Sequence, residues 1–112
     1  MNHIMRKSGS WQTVWDERIL ELASQDEDGT VTVSDLVERD AVRISQSSIS
    51  RRCHKLTDHD LFRKLGPGTF ILTEKGVAYL GGEYDAEAEM FLSDMEDSFS
   101  PTGVDSTGTN GA

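Results

Sequence analysis

The hydrophobic period of this chain shifts from near 3.6 to strand-like near residue 59. Before that point Ile49, Cys53 and Leu56 recur four and three residues apart behind Ser45, a residue suited to capping a helix. After it, Leu61-Phe-Arg-Lys-Leu65 and Phe70-Ile-Leu72 flank Gly66-Pro67-Gly68-Thr69, and two short apolar runs around a Gly/Pro turn read as a β-hairpin. A helix over about 46–58 that runs straight into a hairpin limits the architectures available. With 112 residues there is room for one domain and one modest core, and too few for a barrel or a doubly wound sheet.

Upstream, Trp11, Trp15, Ile19 and Leu22 share a stripe, which predicts a helix over 13–24. Gly29 and its acidic neighbours mark a turn, and Thr30-Val31-Thr32 allows a stub of strand. Thr32 followed by Asp35 gives a capped start to a short helix over about 33–40, expected to brace the next one from behind. Thr73 caps a further helix from Glu74 to about Leu80, with Val77 and Leu80 expected inward. Beyond Gly81-Gly82, the spacing of Tyr84, Ala88, Phe91 and Met95 predicts an acidic helix over 83–97. Residues 1–10 are expected to be a flexible arm to which Arg6 and Lys7 lend charge, and 98–112 a disordered tail without the apolar content to pack. The order helix, strand stub, helix, helix, hairpin, helix is that of a winged helix-turn-helix. The expected class is α+β, mainly α, with a single such domain over 11–82 and a C-terminal acidic helix or tail.

Charge is unevenly spread. The formal charge is −9, yet residues 81–112 hold eight acids and no Lys or Arg, so the rest of the chain is close to neutral. Residues 41–57 carry Arg43, Arg51, Arg52 and Lys55 without any acid. Local fields, not the total, decide what a surface attracts. With Ile49 as the core direction and ~100° per residue, Cys53 and Leu56 fall within about 40° of it, while Ser47, Arg51, His54 and Asp58 lie on the opposite side and Ser50 and Lys55 flank them. Short hydroxyls and cations on an exposed helix suit a DNA major groove. Arg can bind guanine O6 and N7 bidentately, Ser or His can reach base edges or phosphates, and Lys55 and Arg52 can clamp phosphates. The hairpin, a basic wing at 62–70, adds Arg63 and Lys64 beside its Gly-Pro-Gly tip.

Three stretches carry a family likeness: Thr32-Val-Ser-Asp-Leu-Val, Ser45-Gln-Ser-Ser-Ile-Ser-Arg-Arg-Cys-His-Lys-Leu-Thr-Asp-His-Asp-Leu-Phe, and Gly66-Pro-Gly-Thr-Phe-Ile-Leu-Thr-Glu-Lys-Gly-Val-Ala-Tyr-Leu. Over about 11–84 the chain resembles the small winged-helix regulators of halophilic archaea, related in type to MarR-like and phage-repressor-like proteins. The resemblance implies sequence-specific DNA binding and transcriptional control, with Ser47, Ser50, Arg51, Arg52, His54 and Lys55 in the reading helix. Asp60 is a departure, standing where related sequences often turn with Gly.

Other functions find less support. There is no Gly-rich phosphate loop, nucleophile elbow or HExxH spacing, so no enzyme is expected. A lone Cys53, inward by phase, excludes an internal disulfide and argues for a small core hydrophobe over a sensor; no cofactor or metal is expected. No apolar run suits a membrane span or a secretory signal, so a cytoplasmic location without membrane contact follows. Trp11 and Trp15 are assigned to the core or a subunit contact, and the 83–97 stripe to a homodimer contact or else a solvated acidic tail. The leading expectation is a transcriptional regulator, a repressor, that binds double-stranded DNA. The alternative is a winged helix that meets a protein partner through its acidic surface.

Overall fold

The computed structural model describes residues 6–40 and 42–94. Its helices are α1 (Val14–Gln25), α2 (Val33–Arg39), α3 (Gln46–Asp58) and α4 (Glu74–Leu80). Each begins behind a hydroxyl. Thr13, Thr32, Ser45 and Thr73 accept from the backbone N–H of Asp16, Asp35, Ser48 and Gly76, satisfying donors that a helix start would leave bare. At α1 the cap is reciprocal, because the Asp16 carboxylate accepts from the Thr13 N–H.

Strands β1 (Thr30–Thr32), β2 (Phe62–Gly66) and β3 (Thr69–Leu72) form an antiparallel sheet in the order β1-β3-β2. Val31 lies opposite Phe70, while Arg63 pairs with Ile71 and Lys64 with Phe70. The register slips between Lys64 and Gly66, which leaves Leu65 unpaired and half exposed beside the tip. Gly68 takes φ 69° at the turn, where a Cβ would be strained.

One core joins the elements. Ile19, Leu20 and Ala23 of α1, Leu36 of α2, Ile49, Cys53 and Leu56 of α3, Phe70 of the sheet and Tyr79 of α4 are fully covered. Fully burying each large apolar side chain stabilises by about 1.5–3 kcal/mol, so the back of α3 is held from three sides. Ile19, Ile49, Cys53 and Leu56 contribute as the sequence phase requires, whereas Trp11, Trp15 and Leu22 are only partly buried and Leu20 and Ala23 complete the inner face of α1. In α4 the phase reading is corrected: Leu80 is inward but Val77 is 58% exposed, and Gly76, Ala78 and Tyr79 form the buried face instead. Tyr79 takes the core position because its hydroxyl finds Ser8, Gln12 and Glu17 at the rim.

The C-terminal segment also differs from expectation. In place of a helix over 83–97, β4 (Tyr84–Asp85) and β5 (Met90–Phe91) pair as a small antiparallel hairpin. Residues seven apart share a helix face, but 84 and 91 also meet across a hairpin, and their rings lie 5.1 Å apart edge to face. The Asp85 side chain accepts from the N–H groups of Glu87 and Ala88, and Gly82 and Glu89 take φ 79° and 57°, all of which favour turns over helix. Met95 and the expected tail at 98–112 lie outside the described residues.

The expected flexible arm is likewise docked from Arg6 onward. Arg6 Nη1 pairs with Glu17 (3.0 Å) and Glu21 (2.6 Å), and its Nε donates to the Leu80 carbonyl (3.0 Å). The Ala86 N–H donates to the Lys7 carbonyl at 2.8 Å, so the C-terminal hairpin pins this strand of chain. Arg6 is thereby committed to a brace between α1 and α4. Residues 1–5 lie outside the described residues.

Candidate nucleic-acid interface

The site is built on α3. With Ile49, Cys53 and Leu56 turned inward, the opposite face presents Ser47, Arg51, His54 and Lys55 to solvent, and Ser50 is half exposed beside them. The His54 ring packs edge-on against Phe70, centroids 5.3 Å apart, and Phe70 stacks with Phe62 at 6.0 Å. Helix and wing therefore share one apolar hinge block.

The pairing register decides which wing cation faces the helix. Side chains directly opposite in an antiparallel pair lie on the same face, and successive residues alternate. Lys64, opposite Phe70, shares the face on which His54 packs; Arg63, opposite Ile71, lies on the other. Both are exposed. The sequence treated the two cations alike, and the structure separates them.

Arg52 stands apart from the rest of the strip. Its Nε meets Asp16 Oδ1 at 2.8 Å, its Nη2 donates to the Trp11 carbonyl at 3.3 Å, and Asp16 is wholly buried. The helix phase carried a signal for this, since Arg52 sits about 60° from the Ile49 direction, on the inward flank. Its partner, 36 residues away, was not visible in local sequence. Ser48 was missed too. Ser45 Oγ donates to Ser48 Oγ (2.9 Å) and Arg51 Nη2 donates to Ser48 Oγ (3.1 Å), a chain of contacts that the three-residue spacing Ser45, Ser48, Arg51 could have suggested.

Electrostatics divide the cations into two sets. Arg6, Arg39, Arg43, Arg52 and Lys75 each meet a carboxylate. Among the described residues, Arg51, Lys55, Arg63 and Lys64 meet none, and neither do Lys7 and Arg18, which lie outside α3 and the wing, although the chain carries 20 acids. Behind the strip, burial pushes the Cys53 thiol up to about 12, with the nearby Asp16 charge adding to the effect. A thiol so placed is a core filler. Among the described residues no cluster of His, Cys, Asp or Glu suits a metal ion, and no helix is long and apolar enough to cross a membrane.

A helix braced on its apolar side, free on its hydroxyl-and-cation side and followed by a two-stranded wing defines a winged helix-turn-helix protein. Comparison with known proteins makes the assignment narrower. The sequence profile described as winged helix-turn-helix phage repressor matches residues 5–90, and the chain belongs to that family. Membership places it among DNA-binding regulators, not enzymes. The chain is 52% identical to the PhiH1 repressor-like protein from Haloarcula marismortui, whose crystal structure it matches with a TM-score of 0.74 over 80% of this chain and 99% of that one. No protein of curated function matches.

Proposed function

We propose that the protein binds a specific double-stranded DNA sequence and represses transcription in the cytoplasm, with α3 in the major groove and the wing along the adjacent backbone. The observation that carries this reading is that four of the six unpaired cations among the described residues, Arg51, Lys55, Arg63 and Lys64, fall together on α3 and the wing, in a chain rich enough in acid to neutralise them. Leaving four cations open on helix and wing is useful where phosphates will pair with them. Ser47, Ser50 and His54 lie among them as short-range contacts to base edges or phosphate oxygens, and small side chains at the start of α3 let its backbone approach. The name of the similar Haloarcula protein, repressor-like, supports the direction of control. A two-fold homodimer on half-sites about one turn apart would match the usual geometry of such repressors.

The test is selection of duplexes from a random library followed by affinity measured against salt. Specific binding with a steep loss of affinity as salt rises is expected, since each neutralised phosphate contributes about −0.9 to the slope of log K against log salt. Selection of no motif, or an affinity indifferent to salt, would instead favour a protein partner for this surface.

A further inference from the structure

We infer, resting on the DNA-binding reading above, that the two adjacent arginines of α3 have separate tasks: Arg51 reads a guanine with a guanidinium pre-aimed by Ser48, and Arg52 is a positioning residue that locks α3 against α1. Adjacent residues on a helix diverge by ~100°, so one groove cannot receive both side chains in the same way. Arg51 is exposed and carries no charge partner among the described residues, but it is not free to wander. Its Nη2 is tethered at 3.1 Å to Ser48 Oγ, which in turn accepts from the cap residue Ser45 at 2.9 Å. The tether uses one Nη donor and leaves the other donors of the planar fork for a guanine edge. Holding a long side chain in one direction before contact reduces the ordering cost paid on binding, which favours discrimination.

Arg52 is spent differently. Its Nε faces a carboxylate with no exposed surface, and the same carboxylate holds the Thr13 cap through Oδ2. Removing the guanidinium would leave Asp16 buried and unpaired, so Arg52 could swing out towards a phosphate only by breaking the bond between the two helices. Ser48 therefore joins the specificity machinery, and Arg52 leaves the phosphate-contacting set.

The experiment uses the full chain and the motif selected from the random library. Arg51→Ala is expected to relax preference at one guanine position by about tenfold or more. Ser48→Ala is expected to relax the same position by about three- to tenfold without changing the salt slope, and Ser48→Thr to retain the preference because the hydroxyl is kept. The neutral pair Asp16→Asn with Arg52→Gln keeps the total charge and loosens the lock on α3, so affinity should fall for selected and random duplexes alike while the salt slope stays unchanged, because Arg52 neutralises no phosphate. In the wild-type protein, DNA should shift the arginine Nε–H resonance of Arg51 and leave that of Arg52 in place, a readout that does not depend on a variant folding. Base preference within twofold of wild type in Ser48→Ala, a slope reduced by about 0.9 in the neutral pair, or an Arg52 resonance that shifts like that of Arg51 would overturn the division of tasks while DNA binding stands. Absence of any selected motif would defeat the DNA reading itself and this inference with it.

Discussion

Asp60 shows how a residue with a side chain can hold a turn of the kind that favours glycine. It adopts φ 67° between α3 and the wing, a left-handed conformation that Asp tolerates better than most residues. Two partners secure it: its carbonyl accepts from Thr73 Oγ1 at 2.6 Å and its carboxylate meets Lys75 at 3.4 Å. Replacing it with Gly should change stability by less than about 1 kcal/mol, whereas Asp60→Val should cost more than that, as urea titration would show. Gly76 is the opposite case. An added Cβ would lie 2.5 Å from the Leu61 carbonyl oxygen and 2.6 Å from Leu72 Cδ1, so Gly76→Ala should destabilise by roughly 1–3 kcal/mol even though Ala is ordinarily the better helix residue. Cys53 makes a prediction about pH. Its pKa rises from 9.0 unfolded to about 12 folded, so the folded state holds the proton more tightly. Its contribution to stability is complete below pH 9 and falls as pH climbs from there towards 12. Native protein should resist thiol alkylation at neutral pH and label fully in denaturant; prompt native labelling would contradict the packing.

At the scale of elements, most of what positions the site was legible. Hydroxyl caps at Thr32, Ser45 and Thr73 and the apolar phase of α3 are local signals, and each survives in the structure because the core reinforces it, whereas Thr13, expected as the first residue of α1, is its cap. The wing was legible because Gly66-Pro67-Gly68 interrupts helix and strand alike between two short apolar runs. What stayed hidden depends on distant partners: the Arg52–Asp16 bond, the docking of Arg6 on α1, and the outward position of Val77. The C-terminal hairpin was hidden for another reason, since the 84/91 spacing fits a helix equally well, and only turn chemistry at Gly82, Asp85 and Glu89 separates the two. That correction changes how the acidic segment must be tested. Tyr84 is 1% exposed, so removing residues 83–112 would strip a core aromatic and unfold the domain in part. Tyr84→Ala should cost about 3–5 kcal/mol, as for other core aromatics, with a matching fall in thermal midpoint.

For the whole molecule, the question is how an acidic chain approaches a polyanion. The formal charge of −9 opposes long-range attraction, and a large share of it lies at 81–112, away from the sequence of α3. Truncation after residue 94 keeps the hairpin and removes three of those acids, Glu96, Asp97 and Asp105, and no Lys or Arg. Such a chain should stay folded and bind nonspecific duplex more tightly at low salt. Its mass in solution tests the homodimer at the same time: an unchanged dimer would place the contact within residues 1–94, and conversion to a monomer would place it beyond.

The most direct test of the account is the salt slope of affinity for a selected duplex, measured by fluorescence anisotropy for the wild type and for Lys55→Ala, Arg63→Ala and Lys64→Ala. The strip formed by α3 and the wing predicts a steep wild-type slope that falls by about 0.9 for each cation that neutralises a phosphate. A slope near zero in the wild type, or one that none of these changes alters, would contradict it.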